Sequence, residues 1–305
     1  MHVVIPDDYQ DAVRHLTSFR KLDGHEVTIY NDTVRDLDAL TGRFAGADAL
    51  VLIRERTAIT SLLLDRLPRL QLISQTGKGT AHIDLDACAR RGVQVAVGTG
   101  SPHAPAELTW ALVLAALRRV PQEGAALRAG LWQTSPLGTI VRGRTLGIFG
   151  HGKIGSLVAG YGRAFGMNVI IAGRDKASQE AMFRDADVVS LHLRLTPETR
   201  GIVTAAHLRS MKSSALLVNT ARAELIEPGA LEDALRSGRP GFAALDVFES
   251  EPVLGGDHPL LKMENVTATP HLGYVEKDSY ELYFGQAFDN VVAFATGGGE
   301  LPDAT

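Results

Sequence analysis

Short apolar runs alternate with amphipathic segments along the first hundred residues. The runs have the length and the Val, Ile and Leu content of buried strands: 3–5, 26–30, 49–53, 70–74 and 93–97. Between the runs lie segments with apolar residues at helical spacing: about 9–22, 34–45, 60–67 and 84–91. This alternation predicts an α/β domain, with a parallel sheet and helices on both of its faces.

The alternation continues after a change in composition at 98–103, where the sequence GTGSPH is typical of a hinge. A long apolar helix is predicted at Ala104–Arg119, and a second helix at about 121–131. Helical spacing recurs further on, notably at 204–211 and 228–237. Strand-like runs alternate with these helical patterns: 146–149, 167–173, 186–193, 214–220, 242–247 and 265–270.

Two features of the second half bear on domain organisation. The connection 173–186 has room for a loop and a short helix, but hardly for an additional strand. The tail 276–296 is helical and amphipathic, so we expect it to return to the first domain. We predict a first domain of residues 1–99 plus 276–305 and an inserted second domain of residues 100–275.

Composition narrows the possible functions. The chain of 305 residues has 45% hydrophobic and 22% charged residues, which is typical of a globular protein of about two domains. A net charge of −4 does not favour binding to nucleic acid or to an anionic membrane. The sequence contains neither an apolar run of membrane-spanning length nor a signal peptide, so we expect a cytoplasmic protein. A single cysteine, Cys88, excludes an internal disulfide and a thiolate zinc site, and we expect no metal.

The residues Leu146–Gly155, with the sequence LGIFGHGKIG, join an apolar strand to a glycine-rich turn and a helix. Gly150, Gly152 and Gly155 fit the pattern G-x-G-x-x-G in the strand–turn–helix context that this motif needs. Such a turn lets a pyrophosphate approach the backbone at the positive end of the helix dipole. The motif predicts a dinucleotide site, and the alternative is a glycine-rich turn in some other α/β protein.

Ionisable residues follow three neighbouring predicted strands. Arg222 follows 214–220, Glu251 follows 242–247, and His271 follows 265–270. Taken singly, each has a structural alternative: a surface ion pair, a loop charge or a partly buried histidine. Together they suit hydride transfer to a carbonyl, because histidine is an acid/base near neutral pH and a neighbouring glutamate would orient its ring. The arginine would bind a carboxylate through two parallel hydrogen bonds.

A glycine-containing loop, Gln75–Thr80, follows the fourth strand of the first domain. Ligands of open α/β sheets bind beyond the carboxyl ends of the strands, and Gly77 and Gly79 can expose backbone N–H groups to an anion. Lys78 adds a positive charge that would suit a substrate with a second anionic group. A plain turn and a solvated lysine are the alternatives.

Seven blocks in order carry a resemblance to a known family: IDLDACARRGVQV, APAELTWALVLAALRR, GRTLGIFGHGKIGSLVAGYGRAFGM, ADVVSLHLRLTPETRGIV, VNTARAELIEPGALEDAL, ALDVFESEP and TPHLGYV. The chain resembles the D-isomer-specific 2-hydroxyacid dehydrogenases over nearly its whole length. The family includes D-3-phosphoglycerate, glyoxylate/hydroxypyruvate, D-lactate and formate dehydrogenases. The resemblance implies a Rossmann cofactor domain inserted in a flavodoxin-like substrate domain.

The resemblance also implies residue roles. Arg222 would bind the substrate carboxylate, and His271 would be the acid/base with Glu251 as its partner. Asp246 would lie at the nicotinamide carboxamide. Substrate would lie in the cleft between the domains, in contact with four residues of the first domain: Arg54, Gly77, Lys78 and Gly79. The cofactor would lie along a larger set: Gly150, His151, Gly152, Lys153, Ile154, Gly155, His192, Thr199, Thr220, Ala221 and Gly273.

The turn expected to bind the adenosine ribose departs from the usual pattern. A carboxylate normally lies about 20 residues past the glycines, but here the sequence is Gly173-Arg174-Asp175. Glycine does not repel a 2′-phosphate, and Arg174 can pair with one, which favours NADP. Asp175 could still reach the ribose, so NAD remains open.

Two alternatives remain at the level of function. The same scaffold serves formate or phosphite oxidation, and related folds serve as non-catalytic NAD(P)-sensing proteins. The presence of Arg222, Glu251 and His271 favours an enzyme acting on a small 2-keto or 2-hydroxy acid. The helix Ala104–Arg119 is apolar all round, which predicts a homodimer through the cofactor domains.

Overall fold

The computed structural model describes residues 1–297 and 301–302 and divides the chain into two compact units. Unit 1 comprises Met1–Ser101 and Glu276–Thr305, and unit 2 comprises Pro102–Val275. The expected division after residue 99 differs from the first boundary by two residues.

The described residues form eleven strands and ten α-helices. The strands are β1 His2–Ile5, β2 Glu26–Ile29, β3 Ala49–Leu52, β4 Leu72–Gln75, β5 Gln94–Val97, β6 Thr145–Phe149, β7 Asn168–Ile171, β8 Val188–Leu191, β9 Leu216–Asn219, β10 Phe242–Leu245 and β11 Val266–Ala268. The helices are α1 Leu37–Phe44, α2 Ser61–Leu64, α3 Leu85–Arg90, α4 His103–Leu117, α5 Val120–Arg128, α6 Lys153–Ala164, α7 Lys176–Asp185, α8 Ala205–Ser210, α9 Ala230–Ser237 and α10 Lys277–Ala295.

Unit 1 contains a parallel sheet with the strand order β2-β1-β3-β4-β5. This is the flavodoxin-like order, and it confirms the α/β fold predicted from the alternation of strands and helices. The strands β3 and β4 are buried along their whole length, because helices cover both faces of a parallel sheet. The helix α10 returns to this unit, where Asn290 donates from Nδ2 to Ser74 Oγ at 3.2 Å.

One predicted helix of unit 1 is wrong. Residues 9–22 form two short 3₁₀ helices, Val13–His15 and Thr17–Leu22, separated by extended backbone at Leu16. The carboxylate of Asp8 accepts the N–H groups of Ala12 and Val13 at 3.1 and 2.9 Å. These N–H groups are therefore held by a side chain at the start of the segment, and Leu16 interrupts the helical path.

Unit 2 contains a parallel sheet with the strand order β11-β10-β9-β8-β6-β7. Numbered within the unit, the order is 6-5-4-3-1-2, which is a Rossmann sheet without the strand that usually lies outside the second one. The chain passes from β7 through α7 directly into β8. The connection 173–186 thus contains one helix and no strand, as its length predicted.

The long helix α4 is covered largely within unit 2. Its apolar residues Trp110, Leu112, Val113 and Leu117 are buried in a cluster with residues of β6, α6, β8 and β9. Its apolar character therefore reflects the packing of unit 2 itself, and it is not evidence of a dimer.

Three other findings concern the single cysteine, membrane-spanning helices and metal sites. Cys88 is buried in α3, and burial raises the pKa of its thiol to about 11. None of the helices in the described part of the chain has the length and apolar character to cross a membrane. Within residues 1–297 and 301–302, no group of three His, Cys, Asp or Glu residues could hold a metal ion.

Candidate active site

His271 and Glu251 meet beyond the carboxyl ends of β10 and β11. The Nδ1 atom of His271 lies 2.5 Å from Oε2 of Glu251, and both side chains are partly exposed. The other carboxylate oxygen, Oε1, accepts the backbone N–H of Phe248 at 2.9 Å. A carboxylate held in this way fixes the orientation of the imidazole ring.

The backbone of His271 has φ = +52°, a left-handed conformation that is uncommon for a non-glycine residue. The buried carboxylate of Asp246 holds the loop on both sides of it. Oδ1 accepts from Thr269 Oγ1 at 2.6 Å and from Leu272 N at 2.7 Å, while Oδ2 accepts from Gly273 N at 2.9 Å. Burial raises the pKa of Asp246, against the opposing effect of these donors. Asp246 therefore positions the segment that carries His271.

Arg222 lies at the end of a turn that follows β9. The side chain of Asn219 bridges this turn, because Nδ2 donates to Arg222 O at 2.8 Å and Oδ1 accepts from Ala221 N at 3.1 Å. The guanidinium of Arg222 donates from Nη1 to Ala221 O at 2.7 Å. The buried Asn219 thus fixes the backbone from which the arginine projects.

The glycine turn has the geometry that a pyrophosphate needs. Gly150 has φ = +104°, and a Cβ atom on Gly155 would lie 2.1 Å from Gly150 O, so neither position accepts a side chain. A Cβ atom on Gly152 would meet nothing within 4 Å, which leaves open space above the turn. No side chain caps the first turn of α6. Its N–H groups can therefore bind phosphate oxygens.

Comparison with known proteins decides the family. The family model for the D-isomer specific 2-hydroxyacid dehydrogenase NAD-binding domain matches residues 110–273, which is more than half of the chain. The chain belongs to the D-isomer-specific 2-hydroxyacid dehydrogenase family. It is thus an NAD-binding oxidoreductase of the class that transfers hydride between the cofactor and a 2-keto or 2-hydroxy acid, which confirms the resemblance found in the sequence.

Individual relatives agree with this assignment. A solved structure from Vibrio cholerae O395, described as a phosphoglycerate oxidoreductase, has a TM-score of 0.94 and 50% identity, and the match covers 98% of this chain and 100% of that one. A glyoxylate reductase from Aeropyrum pernix is 40% identical over 80% of this chain and 81% of its own length. A D-3-phosphoglycerate dehydrogenase from Mycobacterium leprae is 37% identical over 85% of this chain. The match spans 51% of that relative's length.

The other predicted cofactor positions of the dehydrogenase lie in unit 2. His192 follows β8 under the glycine turn, where a Cβ atom on Gly150 would approach its carbonyl carbon to 2.7 Å. The ring of His192 bonds Ser190 Oγ at 2.9 Å, and burial lowers its pKa to about 4. Thr220 Oγ1 lies 2.7 Å from Thr109 Oγ1.

Several remaining positions lie on loops or at helix starts. Thr199 donates from Oγ1 to Arg194 O at 2.6 Å and so closes the loop after β8. His151 and Lys153 are exposed at the start of α6, and Ile154 packs partly against the unit 2 core. Gly173, Arg174 and Asp175 are exposed between β7 and α7.

The substrate positions predicted for unit 1 are close to one another. Arg54, at φ = +55°, donates from Nη1 to Thr76 O at 3.2 Å. Its guanidinium lies against Gly77, where a Cβ atom would be 1.9 Å from Nη1. Gly79 is similarly close to Glu55, whose Oε1 would be 2.5 Å from an added Cβ. Gly77 is required by its backbone conformation, with φ = +96°, whereas a side chain at Gly79 would require the flexible Glu55 side chain to shift. Lys78 lies between the two glycines.

Sequence reasoning missed three residues that shape this site. Asn219 organises the Arg222 turn, Thr269 bonds Asp246, and the Tyr274 ring lies edge-on to His271 at a centroid distance of 5.3 Å. Polar residues directly at strand ends, such as Asn219, are the only signal that could have indicated them. That signal does not identify which group each residue contacts.

Proposed function

We propose that this chain reduces a 2-keto acid to a D-2-hydroxy acid with NAD(P)H, or catalyses the reverse oxidation, with His271 as the acid/base. The observation that carries the proposal is the pairing of His271 with Glu251 on a loop held by Asp246. The bound cofactor would supply or accept the hydride at C2 of the substrate.

The geometry supports a choice of proton-transfer atom on His271. Since Nδ1 of His271 is engaged by Glu251, the other ring nitrogen, Nε2, faces the substrate in our proposal. In reduction Nε2–H donates its proton to the carbonyl oxygen, which becomes the hydroxyl as C2 receives hydride. In oxidation Nε2 takes that proton back, and the Glu251 carboxylate stabilises the imidazolium in both directions.

Substrate binding is a second part of the proposal. Arg222 would hold the substrate carboxylate through two parallel hydrogen bonds. Within unit 1, we propose substrate contacts from Arg54, Gly77, Lys78 and Gly79. The relatives named above include both a glyoxylate reductase and D-3-phosphoglycerate dehydrogenases. We propose a substrate with a second anionic group, because Lys78 adds a positive charge to this loop.

Cofactor choice is a separate matter. The NADP preference predicted from the sequence relies on Arg174, which is exposed and can pair with a 2′-phosphate. The carboxylate of the neighbouring Asp175 disfavours a 2′-phosphate, and its placement supports NAD.

The decisive experiment is turnover with a panel of 2-keto acids and both reduced cofactors, using the wild type and His271→Gln. We expect turnover of at least one keto acid and a kcat about 10²- to 10⁴-fold lower in the variant, the usual value of general acid–base catalysis. Cofactor affinity should be unchanged. Cofactor binding without turnover of any keto acid would instead support a sensing protein, and turnover of formate or phosphite would support the other alternative.

We also propose a homodimer, through the segment 120–140. Its large apolar side chains are exposed by 55% or more, which is unusual for a monomer surface: Val120, Leu127, Leu131, Trp132, Leu137 and Ile140. A twofold symmetric dimer, the commonest arrangement, would cover them. Light scattering should give twice the mass of 32.7 kDa. Leu131→Asp should shift the mass towards that of one chain, and a wild-type monomer at micromolar concentration would refute the proposal.

A further inference from the structure

The turn between β7 and α7 holds a carboxylate in a defined place. Asp175 is the N-cap of α7, and its Oδ1 accepts the backbone N–H of Ser178 at 2.8 Å. The Ser178 hydroxyl lies 2.9 Å from Asp175 Oδ2 and accepts the N–H of Gly173 at 3.0 Å. Ser178 thus connects the carboxylate to the backbone at the end of β7.

The position of this carboxylate relative to Gly173 is informative. A Cβ atom added to Gly173 would lie 2.7 Å from Asp175 Oδ2 and 2.9 Å from Ser178 Oγ. In an aspartate side chain the carboxylate oxygens lie about 2.4 Å from their own Cβ, from standard bond lengths. Asp175 Oδ2 therefore lies at nearly the distance at which an aspartate at position 173 would place its oxygen.

Position 173 is where a Rossmann domain normally carries the carboxylate that binds the adenosine ribose. We propose that Asp175, oriented by Ser178, replaces that carboxylate and makes the enzyme prefer NAD to NADP. The inference rests on the proposed function, since it concerns the cofactor of the same site. It follows from the short connection, because only four residues separate the end of β7 from the start of α7, which brings the N-cap of α7 to the ribose position.

The hydrogen-bonding capacity and the charge of Asp175 suit binding of the ribose hydroxyls. A carboxylate accepts about four hydrogen bonds, and the structure shows Ser178 using one site on each oxygen. A site on each oxygen therefore remains for the 2′- and 3′-hydroxyls. The side chain is exposed, and the bonds from Ser178 lower its pKa, so it is ionised at neutral pH.

An ionised Asp175 repels a 2′-phosphate. Arg174 is adjacent and positively charged, so it reduces this repulsion without removing it. Hydrogen bonds to a charged group contribute roughly 1.5–3 kcal/mol, which corresponds to about 10- to 100-fold in affinity. We therefore expect the wild type to bind NADH at least about tenfold more tightly than NADPH.

Calorimetric titration with NADH and NADPH tests the inference without relying on turnover. Asp175→Asn keeps a good N-cap residue but removes the charge. It should weaken NADH binding by about tenfold and tighten NADPH binding. Ser178→Ala should weaken NADH binding to a smaller extent, because Asp175 loses the bond that orients it. The matched control is Asp36→Asn, which changes the N-cap aspartate of α1 in unit 1 and should leave both affinities unchanged.

A variant that restores NADH affinity tests whether a carboxylate at position 173 can replace that of Asp175. A side chain at position 173 would force the carboxylate of Asp175 and the hydroxyl of Ser178 to shift, so Gly173→Asp alone should not improve NADH binding. Gly173→Asp combined with Asp175→Ser frees the space, keeps an N-cap residue and should recover the NADH affinity that Asp175→Ser alone loses.

The possible failures are distinguishable. If neither cofactor binds the wild type, the proposed function is wrong. If the wild type binds both cofactors equally, or if Asp175→Asn leaves their affinity ratio unchanged while its melting temperature matches that of the wild type, only the role of Asp175 is wrong. Selective loss of NADPH binding in Arg174→Ala, with NADH unaffected by Asp175→Asn, would restore the NADP preference predicted from the sequence.

Discussion

The carboxylate of Glu251 joins the His271 ring to the main chain. One oxygen lies 2.5 Å from His271 Nδ1, and the other accepts the N–H of Phe248 at 2.9 Å. The ring is therefore oriented by a group that is itself fixed to the backbone. In our proposal, this arrangement leaves Nε2 to exchange a proton with substrate.

Replacing Glu251 by Gln should shift the pH dependence of catalysis. The amide keeps the shape of the side chain but loses the charge that stabilises the imidazolium. In the reduction direction, where His271 must carry a proton, we expect the alkaline limb of the kcat profile to move to lower pH. Steady-state rates between pH 5 and 9 measure this shift. An unchanged profile would assign Glu251 a structural role only.

Replacing Arg222 by Lys should show whether the arginine acts through its positive charge alone or also through its planar guanidinium. Lysine keeps the positive charge but cannot bind a carboxylate through two parallel bonds from a planar group. We expect a higher KM for the keto acid together with a lower kcat, and no change in NADH affinity. If the melting temperature alone changed, Arg222 would be a framework residue of the turn that Asn219 organises.

Asp246→Asn should disturb the loop that carries His271, because Asp246 accepts hydrogen bonds from residues on both sides of the histidine. The amide nitrogen cannot accept a hydrogen bond, so at least one of the donors Thr269, Leu272 and Gly273 loses its acceptor. A buried donor without an acceptor costs about 1–3 kcal/mol, so both stability and kcat should fall. Urea unfolding and kinetics measure these effects. Asp48→Asn, which also removes an acceptor of a backbone N–H, is the control in unit 1 and should lower stability without the same loss of kcat.

The stability of the cofactor-free protein should fall as the pH decreases from about 6.5 towards 4. Burial lowers the pKa of His192 and of His82 to about 4, from an ordinary value of 6.5. Between these values the unfolded chain binds more protons than the folded one, so protonation favours unfolding. Each histidine contributes up to about 1.4 kcal/mol per pH unit. Urea unfolding at pH 7, 6 and 5 measures the slope, and His192→Asn should reduce it; an equal slope in that variant would contradict the assignment.

The parts of this protein that depend on local pattern were predictable from the sequence. Every predicted strand forms, the G-x-G-x-x-G motif lies between β6 and α6, and the length of 173–186 excluded an additional strand. Burial of one face makes apolar residues recur at the period of the helix or strand, and a tight turn requires glycine at particular positions. Both can therefore be recognised from consecutive residues. The segment 9–22 shows the limit of this principle, because its apolar spacing is helical but the carboxylate of Asp8 holds the first N–H groups.

The site was predictable only as a set of strand ends. Arg222, Glu251 and His271 could be placed at one edge of a sheet because parallel strands share a direction. The sequence did not show that Asp246 holds the His271 loop, or that Asp175 Oδ2 lies 2.7 Å from where a Cβ atom of residue 173 would be. The Asp246 contact joins residues more than twenty positions apart, and the Asp175 contact depends on how α7 leaves β7. Such contacts are set by the path of the backbone through space, so only the tertiary structure decides them.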